Sequence, residues 1–170
     1  MARQTMRFSH FLEYFPEVEL PINIGEETHH IFSQRNDPFP PLVIEKFIQP
    51  LEADLEGADS EAEFVEYVPC FKIPKTDAFH AIVYWRAGLM NYRYMLVTFE
   101  PDGTFIAKKA IAGTFTDGAV LTQSVATIED DWMIYVVTGF GSADDEAYDA
   151  TNSKAIDLEL LPDGSIINAI

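Results

Sequence analysis

The chain predicts an α+β fold in which N-terminal helices pack on a mainly antiparallel β-meander of about seven to eight strands, the sheet curling toward a barrel or doubling into two layers. Three observations lead there. Apolar residues recur at helical spacing before residue 52, and segments rich in β-branched and aromatic residues fill the chain from Phe64 onward. The breaks between those segments are too short for helical crossovers, so neighbouring strands run antiparallel. At 170 residues the chain makes one domain, 1–170, with a helical and irregular part at 1–57 and the meander at 64–170.

Phe8, Phe11, Leu12 and Phe15 follow i, i+3, i+4, i+7 spacing and share one helical face, which Pro16 ends. Ser9 is an alternative N-cap for a helix that begins a turn later. The stretch EVELPINIGEETHHIFSQRNDPFPP, punctuated by Pro, Gly and Asn, reads as an irregular wrap. After Pro41, residues Val43, Ile44, Phe47, Ile48 and Leu51 make a second stripe that Pro50 ends or kinks. EADLEGADSEAE, at 52–63, carries acidic groups and no basic ones, the composition of a solvated connector. It lacks the D-x-D-x-D-G spacing of a calcium loop.

The strand segments are FVEYVPCFKI, FHAIVYWRA, YRYMLVTFE, TFIAKKAIA, AVLTQSVATI, WMIYVVTGF, AIDLELL and the closing SIINAI. Along FHAIVYWR one face carries Phe79, Ala81, Val83 and Trp85, the other His80, Ile82, Tyr84 and Arg86. Along YRYMLVTF, Met95, Val97 and Phe99 lie behind Arg93, with Tyr92, Tyr94, Leu96 and Thr98 opposite. Both faces of the central strands are therefore substantially apolar, whereas a sheet open to water on one side alternates more cleanly. The helices cover one face; barrel curling, a second layer or a dimer partner covers the other.

Glu100-Pro101-Asp102-Gly103 and Leu161-Pro162-Asp163-Gly164 repeat one turn chemistry. Proline presets φ at the first central position, aspartate tolerates the second, and glycine takes the positive φ that follows. This is a three-residue hairpin loop with a bulge at glycine, and each tripeptide offers too little for a metal or phosphate site. The order YMLVTFEPDGTFIAKKAIAG, VATIEDDWMIYVV and IDLELLPDGSII resembles a group of bacterial β-meander proteins of unknown function, over residues 65–170. Thr127, Ile128 and Asp131 fit that group's S-x-T-I-x-x-D element, while Ser124 stands one position early. The resemblance implies a fold and carries no activity or catalytic residue.

The formal net charge of −17 argues against nucleic-acid phosphates and anionic membrane surfaces as partners. With 48% apolar residues the chain is still globular rather than disordered. Cys70, the single cysteine, sits in an apolar run and reads as a buried, inert thiol, consistent with a cytoplasmic protein. His10, Glu13 and Pro16 interrupt the N-terminal segment, so it reads as neither signal peptide nor membrane span. Nucleophile elbows, zinc motifs, phosphate loops and dinucleotide fingerprints are missing, and no cofactor is expected. His10, His29 and His30 read as surface or loop histidines, the last two pointing in different directions. GSADDEAYDATNS at 141–153 reads as a solvated loop in which Asp144, Asp145, Glu146 and Asp149 offer a weak calcium alternative.

One cluster carries candidate chemistry. His80, Tyr84 and Arg86 share a strand face, and Tyr92, Tyr94 and Gln123 are placed near them across the sheet. An imidazole, a guanidinium and phenols on a concave face can bind a polar or anionic ligand, or pair His80 as base with Arg86 as charge stabiliser. The opposing expectation is that these rings and the arginine stem only cover apolar surface. The leading functional expectation is a non-enzymatic binding or interaction module, with a protein partner or a second copy of the chain as occupant. The alternatives are a small-ligand binder or enzyme on the His80–Arg86 face, and an acidic inhibitor or immunity-type protein that engages a basic partner.

Overall fold

The computed structural model describes residues 7–52, 65–89, 91–116, 120–142 and 153–169. All of the acidic connector at 52–63 except Glu52, and the calcium alternative at 144–149, lie outside them.

Helix α1 spans Phe8–Leu12, with Arg7 rather than Ser9 at its N-cap. The stretch expected to be irregular holds a short strand, β1 (Ile22–Ile24), and a helix, α2 (Thr28–Arg35). Periodicity could not reveal α2, because Phe32 is its buried apolar residue and Ile31 is exposed. Tertiary contacts hold it instead. The His29 backbone N–H donates to the Tyr94 hydroxyl at 2.7 Å, and Asn36, just past the helix, donates to the carbonyls of Pro69 and Cys70 at 2.7 and 2.9 Å. Helix α3 covers residues 41–52 and opens on Pro41 at its first turn. Pro50 does not end it. A wide turn at Ile44–Ile48, in which the Gln49 N–H reaches back to the Ile44 carbonyl, precedes the proline, and helix continues to Glu52. Such an i→i+5 turn offsets the missing N–H and the ring clash that proline brings to a regular helix.

The strands are β2 (Glu66–Lys72), β3 (His80–Gly88), β4 (Asn91–Phe99), β5 (Phe105–Thr116), β6 (Val120–Ile128), β7 (Met133–Ser142), β8 (Lys154–Leu160) and β9 (Ile166–Asn168). Each falls on an expected segment. They form one antiparallel, unclosed sheet in sequence order from β2 to β9, and β1 joins it beside β6. That joint creates a fork. Strand β5 pairs with β4 along most of its length but with β6 only from Gly113↔Ser124 to Thr116↔Leu121. Beyond that point β1 takes its place, Ile24 facing Ala126. Gly113 is where β5 turns away: its φ is +153°, and a Cβ there would stand 2.1 Å from the Tyr92 carbonyl oxygen. No other residue fits at that position.

Two buried clusters use the two faces of the sheet. Inside, Phe71, Ile73, Phe79, Ala81, Val83, Tyr94, Leu96, Ile111, Ile128, Ile134, Leu158 and Leu160 meet, so that strands from both ends of the sheet share one core. Thr98 donates to the Gly164 carbonyl at 2.6 Å, tying β4 to the β8–β9 turn. Outside, Ile82, Tyr84, Met95, Val97 and Phe99 share a cluster with Phe11, Phe15, Phe39, Val43, Ile48 and Leu51 from the N-terminal part. Cys70 is fully buried in the inner cluster, and burial raises its thiol pKa.

Both Pro-Asp-Gly turns adopt the expected geometry. The Gly103 and Gly164 N–H groups donate to the Glu100 and Leu161 carbonyls at 2.9 Å, with φ of +97° and +90°. A third turn has the same form without the same sequence. In Glu129-Asp130-Asp131-Trp132 the Trp132 N–H donates to the Glu129 carbonyl at 3.0 Å and φ is +68°. Tryptophan thus stands where the other two turns place glycine. The strain, about 1–3 kcal/mol, is opposed by packing, since the indole meets Phe79 edge-on at 5.6 Å.

Candidate functional site

The strand register divides the five sequence-predicted site residues. His80, Tyr84 and Arg86 lie on the outer face of β3, and Arg86 faces Arg93. Trp85 faces Tyr94 and Ala87 faces Tyr92, which puts both tyrosines on the opposite, inner face. His80 and Arg86 also stand six positions apart along β3, roughly 20 Å at strand spacing. One bridging water cannot span that, so the base and charge stabiliser foreseen for one ligand do not meet. His80 lies instead against Phe8, ring centroids 5.8 Å apart, its Nδ1 buried without a hydrogen-bond partner. Burial, and then Lys72, lowers its pKa.

Arg86 and Tyr84 belong to a sealed network. Arg86 is 3% exposed and its Nε approaches Glu52 Oε2 at 2.9 Å, an ion pair off the hydrogen-bond axis. The Tyr84 hydroxyl donates to Glu52 Oε1 at 2.6 Å. Tyr67, opposite Arg86 in β2, accepts from the guanidinium. Burial, reinforced by the Glu52 carboxylate, raises the Tyr84 pKa well above the ordinary phenol value. Lys108 adds a 2.6 Å bond to the Leu51 carbonyl beside Glu52. With Glu52 at 4% and Tyr84 at 0% exposure, this network holds the end of α3 against the sheet and offers no surface to a ligand.

Tyr92 and Tyr94 instead line a recess of about 290 Å³ at the β5–β6 fork. Gly25, Glu26 and Glu27, from the turn between β1 and α2, form one rim; Gly113, Thr114 and Ser124 form the other. Trp85 is the centre of its aromatic wall. The His29 imidazole stacks on the indole at 3.8 Å with planes 4° apart, and Tyr92 runs parallel to it within 9° at 5.9 Å. The Tyr94 hydroxyl, which accepts from the His29 backbone, also lies 3.2 Å from His29 Nδ1. Burial and the neighbouring His30 lower the His29 pKa, and burial raises that of Tyr94. Both shifts favour the neutral form of the group. His29 and His30 do not diverge as expected from the sequence; their rings lie 4.0 Å apart, and His30 Nε2 meets Glu27 at 3.2 Å. Gln123 donates to the rim residue Glu26 at 3.2 Å, which ties it to this side rather than to the His80 face.

Sequence reasoning therefore missed His29, Trp85, Glu26 and Glu27. The available signal was hairpin register: once Gly88 pairs with Asn91, Trp85 must face Tyr94. Nothing in the sequence places α2 over that pair. A second recess of about 260 Å³ shares Tyr92, Gly113 and Ser124 with the first and extends toward Ile156 and Leu158. Among the described residues no group of His, Cys, Asp and Glu has the arrangement to hold a metal, and no helix is long and apolar enough to cross a membrane. Comparison with protein-family models, with curated proteins and with solved structures gives no match.

Proposed function

We propose that this protein is a non-enzymatic binding module whose ligand enters the recess between α2 and the β5–β6 fork. The observation that carries this is the aromatic wall of His29, Trp85 and Tyr92 standing open beside polar rim groups, with Tyr92 42% exposed. Ligand sites are mostly apolar concavities with a few placed polar groups, and at about 290 Å³ this one suits a small molecule or one side chain. In this reading α1 and α3 cover the outer face of a curled sheet, and the fork is the mouth left open. Thermal-shift screening against metabolite-sized compounds tests it. Compounds that raise the melting temperature are expected to lose that effect in Trp85→Leu. Hits that survive that substitution place the binding elsewhere.

A second reading, an acidic protein that engages a basic partner, is favoured by the net charge of −17. Binding that weakens steeply with added salt supports it, and salt-insensitive binding counts against it.

A further inference from the structure

We infer that the recess at the β5–β6 fork selects an organic cation, an alkylammonium or guanidinium group, over neutral and anionic ligands of the same size. The inference rests on the recess being a binding site and adds what it takes. Four features of the lining point the same way. Glu26 and Glu27 supply two carboxylates at the rim, and no lysine or arginine lines the recess among the described residues. Trp85, Tyr92 and Tyr94 contribute electron-rich rings, the surfaces that attract ammonium and guanidinium groups. Thr114 and Ser124 add hydroxyls that can accept hydrogen bonds from such a group. His29, the imidazole of the aromatic stack, has its pKa lowered by burial and by His30, which favours the neutral form that does not repel a cation. An anionic ligand, by contrast, would meet two carboxylates, with His30 on Glu27 as the nearest basic group of the lining and Arg93 and Lys109 set back in the adjoining recess.

The exposed ring face matters for where the cation sits. His29 occupies one face of Trp85 at 3.8 Å, and Tyr92 lies parallel at 5.9 Å, so Tyr92, at 42% exposure, presents the most accessible aromatic surface. Glu26 and Glu27 come from the turn that leads into α2, the helix that also brings His29 to Trp85. The charged rim and the aromatic wall are thus positioned by a single short segment. A cation of this class can reach the recess as a free metabolite amine or as a Lys or Arg side chain of a partner. The net charge of −17 favours the approach of either.

The test is a titration followed by Trp85 emission in a Trp132→Phe background, which leaves one indole as reporter. The probes are choline, its neutral isostere 3,3-dimethylbutan-1-ol, agmatine, acetate and a short lysine- and arginine-rich peptide. Choline or agmatine is expected to bind roughly tenfold more tightly than the neutral alcohol. The exposed pair Glu26→Gln and Glu27→Gln, which leaves the core untouched, is expected to weaken the cations roughly threefold and the alcohol not at all. A peptide tighter than agmatine identifies a protein partner as the source, and a weaker one a free amine. If the alcohol or acetate binds as well as choline, cation selectivity is wrong and the recess remains a binding site of other chemistry. If no probe and no screened compound perturbs Trp85, both the selectivity and the binding site are wrong.

Discussion

Trp85 and Arg86 are consecutive residues of one strand, and they serve opposite ends. Arg86 points outward into a buried network, where the Glu52 carboxylate pairs its charge, Tyr84 donates to that carboxylate and Tyr67 accepts from the guanidinium. Trp85 points inward to the fork, where its ring stack is left beside an open recess. Richness in polar and aromatic groups is common to both environments, so residue type does not distinguish a binding site from an internal brace. What does is whether the groups are already paired with one another and closed from water. The sealed network costs desolvation of a charged pair and returns little net stability, but it is intolerant of losing one member. The open recess leaves aromatic surface unpaired, with Tyr92 42% exposed.

The sharpest way to break this contrast is to remove one half of the sealed pair. Arg86→Met is expected to cost about 3–5 kcal/mol in chemical denaturation, because Glu52 is left charged and buried, whereas Glu52→Leu with Arg86→Met recovers most of the loss. A double variant as unstable as the single one would show that the pair is not the brace. Next in size, Gly113→Ala is expected to cost about 3–4 kcal/mol, since its Cβ meets the Tyr92 carbonyl at 2.1 Å where β5 leaves its neighbour. Such a variant should also lose the recess, which that bend helps to shape. Tyr84→Phe removes one buried hydrogen bond to Glu52, and a loss of about 1–3 kcal/mol is expected.

A smaller effect comes from pH. His29 and His80 both have lowered pKa values in the folded chain, so the unfolded chain binds protons more readily. Their contribution to stability is complete above the unfolded histidine value, about 6.5, and is lost as pH falls below it toward the folded values. The melting temperature should therefore drop between about pH 7 and pH 5, and His29→Gln with His80→Gln should flatten that slope. A slope unchanged in the double variant would assign the acid sensitivity to other groups.

How far the sequence could be read follows from the same contrast. Strand segments and the two Pro-Asp-Gly turns depend on local chemistry, and they were legible down to the positive φ of Gly103 and Gly164. The Glu129–Trp132 turn was not, because tryptophan in a left-handed conformation has no local signature and depends on Phe79 packing. Helix α2 was hidden for a similar reason: its contacts with Tyr94, Pro69 and Cys70 come from distant strands. The site suffered most. Alternation alone separated Trp85 from Arg86 correctly, but assigning Tyr92 and Tyr94 to one of them required the β3–β4 register. Glu52 lay at the edge of an acidic run that read as solvated, with nothing to mark it as the partner of a buried arginine.

The central claim is that ligand binding belongs to the Trp85 side of β3 and structural bracing to the Arg86 side. Ligand-induced thermal shifts measured on the unaltered protein, Trp85→Leu and Tyr84→Phe test it within one experiment, using choline or agmatine as ligand. The expected result is a lower starting temperature but an undiminished ligand shift for Tyr84→Phe, and a lost shift for Trp85→Leu. A shift retained by Trp85→Leu and lost by Tyr84→Phe would contradict it.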